Sequence, residues 1–213
     1  SRGDAGKLAR SATRELPRCG DHTSRSRSGR ARERSGASSV PGLGDLPMTW
    51  ETAQAQDIEV LERQLGRPMR GVHAIAARCA CGDPAVVVTV PRVEDGTPFP
   101  TLYYLSLPEA TKEASRLEAA GLMLDFEQRL ADDSRARSAY EAAHKDYLHK
   151  RDELGSVPEI EGISAGGMPT RVKCLHALIA HSLAEGPGVN PVGDWALAGS
   201  GWSLEVCRCR VDE

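Results

Sequence analysis

Aromatic side chains are scarce: Phe, Trp and Tyr make up 4% of the 213 residues. A core built from this sequence must therefore draw on Leu, Val, Ile and Ala. No window approaches the ~18 uninterrupted apolar residues of a membrane-spanning helix. The N-terminus lacks the apolar stretch of a secretory signal, so no membrane insertion is expected and the cytoplasm is the expected compartment. Neither a P-loop nor a dinucleotide-binding glycine fingerprint occurs, and no cysteine has the local context of a known cysteine enzyme. Nor is there a dominant charge, the formal net being −3. That average hides a split: residues 1–40 carry 10 Lys/Arg against 4 Asp/Glu, and the rest 17 against 26. The acidic body argues against a dedicated nucleic-acid surface there.

What is present divides at Met48. Residues 1–47, with SRSRSGRARERSG at their centre, offer almost nothing to fill a core and read as a disordered tail. Nucleic-acid contact is expected only through this arm. Two non-native origins compete with that reading: a cloning remnant, and an over-called start in GC-rich coding sequence. Cys19 falls in the tail and is set aside. Residues 48–213 read as one domain.

Within that domain Ile58, Leu61 and Leu65 recur at helical spacing over Thr52–Gly66. Gly71–Arg78, Ala85–Val90 and Leu102–Leu107 read as strands, the second a β-branched run suited to burial on both faces. Pro108 opens a helical region that Gly121 interrupts, and Asp132, Asp133 and Ser134 offer an N-cap for the next helix. Pro169 suits the first turn of a helix running to about Ala184, and the segment after Gly186 reads as irregular. The expectation is an α+β fold: a small antiparallel sheet of about three strands, with four to five helices on one side.

Six cysteines without a secretory signal read as thiols or metal ligands rather than a disulfide framework. Cys79 and Cys81 are one residue apart, a spacing that lets two thiolates share one tetrahedral ion ahead of the Gly82-Asp83-Pro84 turn. Cys207 and Cys209 repeat the spacing. The expected ligand set is Cys79, Cys81, Cys174 and either Cys207 or His176, holding a structural Zn2+, with an iron–sulfur cluster as the lesser alternative. The bland reading is ordinary buried cysteines. A second candidate is an anion site. Ser164, Gly166 and Gly167 form a small-residue loop before the expected helix, with Arg171 and Lys173 in its first turn, and Arg92 and Asp95 nearby. Such a pocket would take a phosphate-bearing ligand. The bland reading is a glycine turn whose cations pair with acids such as Glu159. His181, seven residues after Cys174, would share a helix face with it and is counted with the ligand-binding residues.

Six stretches together carry a resemblance: RCACGDP (78–84), DGTPFPTLYYL (95–105), AHKDY (143–147), SAGGMP (164–169), RVKCLH (171–176) and HSLAEGPGVNPVGD (181–194). In this order they resemble an uncharacterised actinobacterial family, domain of unknown function 501, over residues 55–195. The resemblance supplies no catalytic residue. It implies only an association, through neighbouring genes, with a septum-formation initiator and an exopolyphosphatase. Two functions are therefore expected in competition. One is a non-catalytic, zinc-stabilised interaction protein with a partner in the division or envelope machinery. The other is an enzyme or sensor that binds a phosphorylated or anionic ligand at Ser164–Lys173.

Overall fold

The computed structural model describes residues 50–209. The expected tail, Met48 and Cys19 lie outside that range. A four-stranded antiparallel sheet runs in chain order: β1 (Glu51–Thr52), β2 (Val72–Arg78), β3 (Pro84–Thr89) and β4 (Tyr103–Leu105). Around it fold α1 (Ala55–Leu65), α2 (Pro108–Ala119), α3 (Leu122–Asp132), α4 (Ser134–Leu154), α5 (Leu175–Glu185) and α6 (Pro191–Gly199). The α+β expectation holds, with a short first strand and a sixth helix added.

Strand β3 explains why the helices are not confined to one side. All its residues are buried. Val86 and Val88 face the main core, whereas Val87 packs with Ile75 of β2 and Leu61 of α1. Alternate side chains leave opposite faces of a strand, so an unbroken valine run must be covered twice. Helix α1 supplies the second cover. Gln54 and Asp57 cap its start reciprocally, and Gly66 in the left-handed region ends it.

Helices α4 and α5 carry the centre of the main core. Asp133 caps α4 by accepting from the Arg135 and Ala136 N–H groups. That helix buries Ala136, Tyr140, Ala143 and Tyr147 on one stripe, which Arg151 continues. The Arg151 guanidinium is 1% exposed and donates to the carbonyls of Ile160 and Ile163, tying the loop after α4 to the helix.

Two boundaries differ from the sequence reading. Helix α5 begins at Leu175, several residues later than expected. Gly166 and Gly167 adopt φ of 68° and 95°, and their carbonyls accept from the Lys173 and Arg171 N–H groups. The segment thereby closes on itself as a loop, and residues 169–174 stay outside the helix. After Gly186 the chain forms α6 rather than an irregular tail. Asn190 accepts from the Val192 and Gly193 N–H groups, and Pro191 fits the first turn. Gly193 permits the close α5–α6 approach, since a Cβ there would lie 2.1 Å from the Leu178 carbonyl oxygen.

Candidate metal centre

The turn after β2 presents two thiols. Cys79 N–H donates to the Asp83 carbonyl and Gly82 N–H to the Cys79 carbonyl, closing a tight loop over residues 79–83. The C-terminal segment after α6 crosses this loop: Ala80 N–H donates to the Leu204 carbonyl, and Trp202 is buried beneath. Cys207 and Cys209 are thereby delivered to Cys79 and Cys81. All four sulfurs lie within 4.8 Å of one another. Cys209 Sγ stands 3.5 Å from both Cys79 Sγ and Cys81 Sγ.

These separations are far longer than the roughly 2.05 Å of a disulfide bond. They sit close to the edge of a zinc–thiolate tetrahedron, about 3.8 Å for Zn–S bonds of roughly 2.3 Å. Cys79 is buried and the other three are half-buried. Burial pushes the Cys81 thiol up to about 12. Cys209 is raised further, by burial first and then by the Cys79 and Cys81 sulfurs. Without an ion Cys81 and Cys209 therefore hold their protons, and a bound cation would reverse that preference by replacing them. The chemistry of the donor set fits a thiophilic tetrahedral metal.

Cys174 and His176, expected in the same set, lie elsewhere. Both sit at the start of α5 beside Glu118 of α2, and these three form a separate group. Glu118 Oε1 accepts from Leu175 N–H at 2.6 Å and lies 3.0 Å from His176 Nδ1. Cys174 Sγ is 3.9 Å from the same nitrogen. The Cys174 sulfur, and after it Glu118, raise His176 to about 9 against the opposing effect of burial. Cys207 rather than His176 fills the fourth place, and Cys209 takes the place the sequence reading gave to Cys174. The matched one-residue spacing of Cys79/Cys81 and Cys207/Cys209 was the signal for it.

The residues expected to line an anion pocket are placed differently from the sequence reading. With α5 starting at Leu175, Arg171 and Lys173 belong to the loop and not to a first helical turn. The first N–H of α5 is taken by the Glu118 carboxylate, so the positive end of the helix already has its anion. Arg92 pairs with Glu159 at 2.7 Å and donates to the Gly96 carbonyl. Asp95 pairs with Arg70, which holds its carboxyl well below the usual range. Ser164 meets His144 Nδ1 at 2.8 Å and the Met168 carbonyl. A shallow cavity of about 180 Å3, lined by Glu127, Leu130, Arg137, Tyr140 and Thr170, contains none of these residues.

His181 is a core residue. It is fully buried, stacked on Tyr103 at 5.6 Å and edge-on to Tyr147 at 5.2 Å. Asn190 Nδ2 lies 3.1 Å from His181 Nδ1; the amide donates there, which puts the imidazole hydrogen on Nε2, facing Asp146 at 4.0 Å. Tyr103 Oη donates to Glu185, and Lys150 bridges Glu185 and Asp146. Tyr103, Asp146, Tyr147, His181, Glu185 and Asn190 all come from stretches that carried the family resemblance.

A family model described as protein of unknown function (DUF501) matches residues 75–198, more than half of the chain. The chain belongs to the DUF501 family. No curated protein and no solved structure matches it. The DUF501 match contains Cys79, Cys81, the Glu118 group and the whole His181 network, and it ends before Cys207 and Cys209. The tetrathiol cluster thus joins the family region to the segment that follows it.

Proposed function

We propose that this DUF501 chain is a non-catalytic interaction protein in which Cys79, Cys81, Cys207 and Cys209 hold a structural Zn2+. The convergence of four sulfurs from two distant segments carries this reading. A bound ion would tie the C-terminal segment to the β2–β3 turn with a crosslink on the order of 10–16 kcal/mol of apparent binding free energy. Zinc is favoured over an iron–sulfur cluster because the sulfurs stand close enough to surround one ion. A multi-iron core separates its cysteines further, each being bonded to an iron at the core's periphery.

A structural role is favoured over catalysis because four thiolates close the coordination sphere and leave no position for substrate. A partner in the division or envelope machinery is supported only by the gene neighbourhood that the family resemblance implies. Elemental analysis of protein never exposed to chelator tests the metal: about one zinc per chain after desalting is expected, lost when Cys79 and Cys209 are both replaced by Ser. Zinc well below one equivalent would sink the reading. Affinity purification that returned no division or envelope protein would remove the partner assignment and leave the metal site standing.

A further inference from the structure

The group at the start of α5 is independent of the tetrathiol cluster and differs in kind. It joins a thiol, an imidazole and a carboxylate, all half-buried, with their ligand atoms within 4.8 Å of one another. A tetrahedral zinc at ordinary bond lengths sets sulfur–nitrogen and nitrogen–oxygen edges of about 3.6 and 3.3 Å. The corresponding separations here are 3.9 Å for Cys174 Sγ to His176 Nδ1 and 3.0 Å for His176 Nδ1 to Glu118 Oε1.

The surrounding groups orient this set as outer partners orient metal ligands. Ser115 Oγ holds His176 Nε2 at 3.1 Å, which leaves Nδ1 as the nitrogen turned toward the sulfur and the carboxylate. Leu175 N–H fixes Glu118 Oε1. The same arrangement excludes a nucleophile–base–acid relay. Such a relay needs the thiol and the carboxylate on opposite ring nitrogens, and here both address Nδ1.

We infer that Glu118, Cys174 and His176 form a second, open metal site for a divalent transition ion of the Zn2+ class. Three protein ligands leave a fourth position, and the 30% exposed His176 and 24% exposed Glu118 side chains put it within reach of water. Binding there displaces the thiol proton and any imidazole proton at Nδ1, and recruits a water to complete the tetrahedron.

Cobalt(II) titration of the full-length, zinc-retaining protein under anaerobic conditions tests this. The expected result is one further ion per chain, with tetrahedral ligand-field bands and a charge-transfer band of single-thiolate intensity. Cys174→Ser abolishes that band. Glu118→Gln, which keeps an oxygen to accept from Leu175 N–H, weakens binding by at least about tenfold. Titrating the Cys79→Ser/Cys209→Ser protein separates the two sites, because the single-thiolate signal persists there whatever happens at the tetrathiol cluster. An unaltered titration in Cys174→Ser and Glu118→Gln, or no cobalt spectrum in the Cys79→Ser/Cys209→Ser protein while it remains folded by circular dichroism, overturns the assignment. In that case the three residues serve as an ion pair capping α5.

Discussion

The tetrathiol cluster and the His181 network are both polar assemblies in a chain of ordinary hydrophobic content, yet they solve burial in opposite ways. Around His181 most polar groups are partnered from within the protein; the buried His181 Nε2 has no hydrogen-bond partner, its nearest carboxylate being Asp146 at 4.0 Å. Asn190 serves two α6 N–H groups with its oxygen, and His181 and Met168 with its nitrogen. Lys150 bridges two carboxylates, offsetting one of their two charges. Against the cost of burial, His181 and Lys150 hold the Asp146 carboxyl below its ordinary range. Around Cys79, the Cys209 sulfur contacts those of Cys79 and Cys81, and sulfur–sulfur contacts between thiols are weak. One assembly takes most of its partners from the protein; the other is a group of thiols that could hold an ion. A polar cluster is informative about ligands when its own partners do not suffice.

Breaking that contrast should first be visible on metal removal. Chelation is expected to lower the melting temperature by about 10 °C or more, since several kcal/mol of linked binding free energy is lost and each kcal/mol shifts a domain of this size by about 2–4 °C. Limited proteolysis should then cut within residues 200–209 before it reaches α4 or α5. Identical melting curves and cleavage patterns with and without chelator would place the two assemblies in the same class.

His181→Phe comes next. The ring volume is kept, but Asn190 Nδ2 loses an acceptor inside the core, at a cost of about 1–3 kcal/mol. The resulting fall in melting temperature should be the same before and after chelation, because the network does not depend on the ion. A loss that disappears on chelation would couple the regions and contradict the comparison.

The smallest effect concerns the ion pair just before Cys79. Arg78 binds both Asp57 oxygens, at 2.7 and 3.0 Å, and reaches Glu51. The Arg78 contact lowers the Asp57 pKa against the opposing effect of burial. A depressed carboxylate contributes stability that is present above its unfolded value of about 4 and is lost as pH falls through the folded one. Asp57→Asn should therefore cost about 1 kcal/mol near neutral pH, and nothing once the carboxylate is protonated in both states. Melting curves collected from pH 7 to pH 2.5 should converge for the two proteins. Curves that stay parallel would show that Asp57 acts through packing alone.

Much of the fold was legible locally. The valine run of β3, the Asp133 cap and the Gly66 stop are each dictated by side-chain alternation, capping or backbone freedom within a few residues. Asn190-Pro191 was an equally local signal for the start of α6. The late start of α5 was not legible in the same way. Arg171 and Lys173 suit a helix as well as a loop, and the choice falls to Gly166 and Gly167, whose carbonyls capture the following N–H groups.

Sequence alone determined the family, the α+β class and the presence of paired cysteines one residue apart. Only the tertiary structure decided which cysteines meet, because residues 79–81 and 207–209 are joined through the C-terminal crossing at Ala80–Leu204 and not through any local pattern. It likewise sent Cys174 to Glu118 and His181 into the core. Periodicity says which residues share a face of one element. Which elements then face each other is set by packing and buried hydrogen bonds between segments far apart in the chain.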